Sequence, residues 1–157
     1  MKEIELSQGM VALVDDEDYE YLNQWKWYAY KNKNTYYAKR FTKRINKKRY
    51  SVQMHRIIMD TPNKLQVDHI DHNGLNNQKY NLRNCTFTQN RMNRIRNKNN
   101  TSNYKGVTHD DGYIYAQINA NGKHIRLGSF KTEKDAALAY DKAAQKYHGE
   151  FAYLNFS

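Results

Sequence analysis

The chain has 157 residues and carries 26 Lys and Arg against 16 Asp and Glu, a formal charge of +10. That length allows one or two small domains, and that charge favours a polyanionic partner such as nucleic acid, although a merely basic solvated surface would give the same count. No apolar run is long enough to span a bilayer, no apolar stretch follows Met1-Lys2-Glu3-Ile4 to make a signal peptide, and the one cysteine, Cys85, cannot close an internal disulfide. The expectation is a cytoplasmic protein with no membrane partner, in which Cys85 is a small buried residue rather than a nucleophile. Fourteen tyrosines point to small cores and many aromatic surfaces.

Along the chain, Asp15-Asp16-Glu17-Asp18-Tyr19-Glu20 is acidic and opens a short helix, because negative charge suits a helix N-terminus. Gln24–Tyr30 and Thr35–Arg40 are aromatic and β-prone, and Lys31-Asn32-Lys33-Asn34 between them reads as the turn of a hairpin. From Lys39 to Arg56 there are eight Lys and Arg and no acid, a solvated face or a phosphate-contacting one. A second segment begins near Pro62. The stretch from Arg91 to Lys105 is rich in Asn, Arg and Lys, with a helix ending near Arg96 and a linker over 97–102.

In the third segment, 103–157, Tyr113–Ile118 alternates as a half-buried strand does. Asn121-Gly122 is a hairpin turn signal, and His124–Phe130 is the returning strand. Thr132 caps a helix from Glu133, with Asp135 three residues on. That helix carries Ala136, Ala139, Tyr140, Ala143, Ala144 and Tyr147 at helical spacing, and Gly149 ends it.

The chemistry is concentrated in Val67-Asp68-His69-Ile70-Asp71-His72-Asn73-Gly74, then Asn81-Leu82-Arg83, then Thr88-Gln89-Asn90-Arg91. This spacing predicts a strand ending at Asp68-His69, a loop, a second strand near 82–86 and a helix capped by Thr88. Hydrolysing a phosphodiester needs an activated water and positive charge on the developing negative oxygens. His69 can take a proton near neutral pH. Asp68 and the amide oxygen of Asn90 can ligate a cation, and two oxygen ligands with waters and phosphate suit one divalent cation, Mg²⁺ or Mn²⁺. Asn81 serves structurally, bridging the loop so that the His69 ring is aimed. A polar, Asx-rich turn is the bland alternative.

These residues resemble the HNH (ββα-metal) nuclease motif in its phage and intron-encoded homing form, matched here by Asp68, His69, Ile70, Asp71, Asn73, Asn76, Asn77, Asn81, Leu82, Arg83, Thr88 and Asn90. The resemblance implies His69 as general base, Asp68 and Asn90 as metal ligands, and Asn81 as the residue that orients the base. The family often has Gly where His72 stands and Glu where Gln89 stands. The upstream His55-Arg56 also matches, with Arg56 expected on phosphate or transition-state charge and His55 behind it, although His55 reads equally as a packed strand residue.

Tyr104-Lys105-Gly106-Val107, Leu127-Gly128-Ser129-Phe130, Glu133–Ala137, Ala139–Ala144 and Leu154-Asn155-Phe156 together resemble the AP2 DNA-binding domain. The resemblance implies three antiparallel strands on one helix, with one sheet face entering the major groove. Outward positions would be Lys105, Thr108, Tyr113, Tyr115, Gln117, Lys123 and Arg126, with Arg91 and Arg94 adding phosphate contacts. Arg126 stands where plant members often have Trp, so plant sequence preference does not carry over.

The expectation is therefore an α+β chain: an HNH nuclease domain over 1–96 with its ββα unit at 65–96, a basic linker over 97–102, and an AP2-like domain over 103–157. It would cut double-stranded DNA as a monomer or homodimer, without a small-molecule cofactor. A DNA-binding regulator without activity and an RNA-binding or RNA-cleaving protein are the alternatives.

Overall fold

The computed structural model describes residues 1–44, 46–96 and 100–156. It is a mixed α+β chain of several sheets that divides into two compact units, Met1–Phe87 and Thr88–Ser157. No described helix is long and apolar enough to cross a membrane.

In the first unit, β1 (Lys2–Ser7) and β2 (Val11–Val14) form a hairpin, followed by α1 (Asp16–Leu22). The expected aromatic hairpin is β3 (Trp27–Asn32) and β4 (Thr35–Phe41), turning through Lys33 at φ 52°. β5 (Ser51–Gln53) and α2 (Met54–Ile58) follow. The five strands make one sheet in the order β2-β1-β3-β4-β5, with β1 parallel to β3. One sheet face carries Trp27, Ala29 and Ala38 into a core with Ile4, Leu6, Ala12, Val14, Leu22 and Met54. Small residues at 29 and 38, paired across β3 and β4, give the large Trp27 ring room beside them. Its indole N–H donates to the Leu22 carbonyl at 2.8 Å, so this buried polar group is satisfied.

β6 (Gln66–His69) and β7 (Leu82–Cys85) form a separate two-stranded antiparallel sheet, joined by a loop that ends in a 3₁₀ turn at Lys79–Asn81. Backbone bonds fasten this loop to β2: Leu13 N–H donates to the Leu75 carbonyl, and Asn77 N–H to the Leu13 carbonyl, both at 2.8 Å. Asp15, just before α1, accepts from Lys79 N–H at 2.7 Å and from the Gln78 amide at 3.2 Å rather than capping its own helix. Gly74 seats the loop on β4. Its N–H donates to the Thr35 hydroxyl at 2.9 Å, and an added Cβ would lie 2.4 Å from the Tyr36 carbonyl oxygen and 2.7 Å from the Tyr37 ring.

α3 (Phe87–Met92) begins one residue before the expected cap, Thr88, and ends short of Arg96. The expected linker needs a similar correction. Residues 97–99 lie outside the described residues, but 100–102 are not a spacer. The Asn100 amide donates to the carbonyls of Tyr104 and Val107, Thr101 accepts from His109 N–H, and Ser102 is buried and accepts from Tyr104 N–H.

The second unit contains β8 (Val107–Asp110), β9 (Tyr113–Ala120), β10 (Lys123–Phe130) and α4 (Glu133–His148). The sheet is antiparallel in the order β10-β9-β8. Asn121 and Gly122 both have positive φ, the conformation a two-residue primed turn demands. Thr132 accepts from Asp135 N–H at 3.1 Å and caps α4 as expected. Ala136, Ala137, Tyr140, Ala143 and Ala144 are buried on α4, whereas Tyr147 is exposed and contributes nothing to the core. Gly106, at φ +77°, lies directly against Tyr140, whose ring an added Cβ would meet at 1.9 Å.

Both glycine contacts can be tested by unfolding. Gly74→Ala should lower stability by about 1–3 kcal/mol through overpacking against backbone. Gly106→Ala should cost more, because overlap combines with a left-handed φ. Urea and calorimetric unfolding would measure both, and an unchanged Gly74→Ala transition would refute the close approach.

Candidate active site and nucleic-acid interface

In the first unit, the loop between β6 and β7 is built by side-chain hydrogen bonds. Asp71 Oδ1 accepts from Asn73 N–H at 2.8 Å and from the Asn81 amide at 2.9 Å, and Asp71 Oδ2 accepts from the Asn76 amide at 2.8 Å. In return, Asp71 N–H donates to Asn81 Oδ1 at 3.0 Å, and Asn81 also donates to the Asn76 carbonyl at 2.9 Å. Asn81 therefore closes the loop, with its side chain bonded to Asp71 and to the Asn76 carbonyl. His72 takes φ 64°, a left-handed conformation that explains why glycine suits this position.

His69 and Asp68 end β6, and both are buried. A ring nitrogen of His69 lies 3.5 Å from the side-chain oxygen of Asn77, which is fully buried. Asp68 Oδ2 accepts from Arg83 Nε at 2.9 Å and from its Nη2 at 2.6 Å, across the β6–β7 pair. His55, on α2, stacks edge-on to His69 with ring centroids 5.1 Å apart. Tyr37 of β4 touches both imidazoles, at 5.5 Å from His55 and 5.6 Å from His69.

Burial holds the His69 imidazole below its usual range, opposed by the Asn77 hydrogen bond and by the Asp71 and Asp68 carboxylates. The ring is neutral at pH 7 and can accept a proton. Burial, followed by the neighbouring His69, Arg56 and Lys39, pushes His55 down to about 3. Its Nδ1 is buried without a hydrogen-bond partner. Burial lifts the Cys85 thiol to about 11, which leaves no thiolate to act as a nucleophile at neutral pH.

The Arg56 guanidinium donates to the carbonyls of Leu65 at 2.9 Å and of Thr61 and Pro62 at 3.1 Å, and so clamps the chain leading into β6. Asn90 stands in α3, half-buried, and belongs to the second unit.

In the second unit, Tyr113, Tyr115 and Gln117 alternate with the inward Ile114, Ala116 and Ile118 along β9. Thr108 pairs with Tyr115, and Arg126 with Gln117, so these five residues share the outward face as expected. The Arg126 guanidinium lies 3.4 Å over the Tyr115 ring. Lys123 instead pairs with the buried Ala120, which puts it on the opposite side of the sheet at the hairpin end. Lys105 is only half-exposed, and its ammonium donates to the Met92 carbonyl. Burial, with Arg94 nearby, lowers it to about 8. Arg91, Arg94 and Lys105 line a groove of about 640 Å³ whose described walls carry no carboxylate.

Comparison with known proteins places this architecture. The chain is 32% identical over 155 residues to an HNH endonuclease of Acanthamoeba polyphaga mimivirus, covering 94% of this chain and 76% of the relative. The chain belongs to the HNH endonuclease family. Over 59 residues, 35% of the chain, it is 48% identical to an AP2-like ethylene-responsive transcription factor of Arabidopsis thaliana. Over 60 residues it is 43% identical to a dehydration-responsive element-binding protein of the same plant. These matches span 10% and 29% of the plant proteins' own lengths. No family model matches the chain, and no solved structure matches it.

For this HNH chain, sequence reasoning missed several partners of the residues it named. Asn77 was only one Asn of a motif, yet it is the side chain against His69. Arg83 was a motif position, yet it pairs with Asp68. On the sheet of the second unit, His124 places its Nδ1 3.0 Å from Asn119 Oδ1 and its Nε2 3.0 Å from Gln117 Oε1. The alternation through Tyr113, Tyr115 and Gln117 would have reached Asn119 one step further on.

The buried histidines give a pH signature. His55 titrates near 6.5 when unfolded and near 3 when folded, so below pH 6.5 the unfolded chain binds the extra proton. Stability should be complete above pH 6.5 and fall as the pH drops toward 3, with a slope approaching about 1.4 kcal/mol per pH unit. Urea unfolding from pH 7.5 to 4 would measure this. His55→Leu should flatten the profile, and an unaltered slope in that variant would assign the effect elsewhere.

Proposed function

We propose that this HNH chain is a metal-dependent endonuclease that hydrolyses phosphodiester bonds of double-stranded DNA, with its AP2-like unit reading the site. The observation that carries the reading is a buried His69 next to the Asp68 carboxylate, at the end of a strand whose following loop is closed by Asp71 and Asn81. His69 takes a proton from the attacking water. Asn77 limits the rotation of that ring, and Asn81 keeps the loop that carries Asn77 in place. Tyr37 and His55 pack the sides of the imidazole, so that few water positions remain open to it.

The residues present fit one divalent cation. Asp68 is a buried carboxylate, and the buried His55 Nδ1 beside His69 has no hydrogen-bond partner. The Asp68 carboxylate would hold it, and such an oxygen donor suits Mg²⁺ or Mn²⁺ better than zinc. Once bound, such an ion supplies positive charge to the oxygens that gain negative charge during hydrolysis.

In a plasmid-nicking assay, His69→Ala should abolish cutting and leave DNA binding within a few-fold of wild type. Asp68→Asn should reduce metal-dependent cutting, and EDTA should stop the reaction. Cutting by His69→Ala at near wild-type rate, or undiminished cutting in EDTA, would sink the mechanism.

Recognition has its own test. The outward face of the second unit carries Gln117, Arg126 and two tyrosines, none of them needed for chemistry. Arg126→Ala should weaken binding to the target by about 1–3 kcal/mol if the guanidinium reads a base edge. Equal losses on target and scrambled duplexes, with a salt slope reduced by about one unit, would instead make it a phosphate contact.

A further inference from the structure

The sheet of the first unit has a second face, opposite the one that Trp27, Ala29 and Ala38 bury. In the β3–β4 register Tyr28 pairs with Lys39 and Tyr30 with Tyr37, so these four side chains and Phe41 share that face. The Tyr28 and Phe41 rings stack with centroids 5.6 Å apart and planes 27° from parallel. The Lys39 ammonium lies 3.8 Å over the Tyr30 ring. Tyr30 is 43% exposed and Phe41 53%. Apolar rings left open to water in this number mark a binding surface more often than a core.

Two further observations say what covers it. From Trp27 to Gln53 the sequence contains no Asp or Glu, while Lys39 and Arg40 are followed by five more Lys and Arg before Tyr50. The face therefore complements a polyanion. The same row of side chains also ends at the candidate active site, because Tyr37 touches both His55 and His69. From Tyr37 to Phe41 the strand runs about 14 Å, enough for successive bases of one strand. Intact duplex DNA presents phosphates and base edges outward, not base faces. Rings lying open on a sheet gain most from the face of an unpaired base, and interleaved cations hold the backbone beside it.

We propose that the face formed by Tyr28, Tyr30, Lys39 and Phe41 is a stacking platform for unpaired bases of the DNA strand whose backbone enters the His69 site. The strand lies along β4, with its bases on Tyr28, Tyr30 and Phe41 and its phosphates on Lys39 and the following cations. Near the cut, the substrate is held locally unpaired. The path toward His69 rests on the nuclease reading, but binding to the platform requires neither metal nor cleavage.

The test uses the full chain in EDTA, so that a failure of cleavage chemistry does not affect it. Fluorescence anisotropy would measure binding to an oligothymidylate of about twelve nucleotides, to the matching oligouridylate and to a duplex of the same length, over several salt concentrations. Tyr30→Leu and Phe41→Leu should each weaken single-strand binding about ten-fold with an unchanged salt slope. Duplex binding should move less than about two-fold, since duplex bases are already stacked. Tyr30→Trp should retain wild-type affinity, which separates stacking from damage to the sheet. Photo-crosslinking of the wild-type chain to a 5-iodouracil oligonucleotide should place the crosslinks on Tyr28, Tyr30 or Phe41, whether or not a variant folds. Parallel losses on single strand and duplex with a reduced salt slope, no loss at all, a preference for the ribose strand, or crosslinks confined to other residues would each overturn the proposal.

Discussion

The reciprocal pair of Asp71 and Asn81 is the contact on which the candidate active site depends. The two residues stand at opposite ends of the loop between β6 and β7, and the Asn81 side-chain amide bonds both the backbone and the carboxylate of Asp71. Ile70 N–H donates to the Asn81 carbonyl at 2.9 Å, which extends the closure by one more rung. A loop of this length would otherwise sample many paths, and Asn77 would meet His69 only rarely. The outer turn is fixed independently, by the backbone of β2 and by Gly74 against β4. The five-stranded sheet thus acts as a jig: its edge strand β2 sets Asn77, β4 supplies Tyr37, and the helix after β5 supplies His55.

Charge separates the same way. A cluster of acidic residues surrounds α1, where Glu17 and Asp18 pair with Lys79 and Asp15 bonds the 3₁₀ turn. The sheet from β3 to β5 carries only cations. In the second unit, the motif blocks that resemble plant AP2 domains hold the scaffold rather than the outward sheet face. Asn155 donates to the Lys105 carbonyl and accepts from Lys105 N–H, and Asp141 accepts from the backbone and amide of Asn155. Gly106 makes room for Tyr140. Tyr115, Gln117, Asn119, His124 and Arg126 lie on the opposite, outward face of the sheet and take no part in this scaffold.

Local signals in the sequence were the ones that could be read. The Asn121-Gly122 turn, the Thr132 cap, the β3–β4 hairpin and the strand ending at His69 each depend on neighbours within a few residues. The β1–β2 hairpin and the parallel pairing of β1 with β3 went unread, because the latter is a contact across some twenty intervening residues with no local mark. Residues 100–102 looked like a linker because Asn, Thr and Ser are common in linkers. They are ordered because their side chains satisfy backbone groups of β8 and its approach. The sequence marked Arg56 for phosphate and Arg83 only as a motif position, and only the fold gives the one three carbonyls and the other a carboxylate.

The pairing of Arg83 with Asp68 has a consequence for how the chain lives without metal. A buried carboxylate must find positive charge somewhere, and in small zinc-bound domains that charge comes from solution, so the fold collapses when it is withdrawn. Here a guanidinium from the adjacent strand already supplies it. The β6–β7 pair therefore holds the counter-charge of Asp68 within its own two strands.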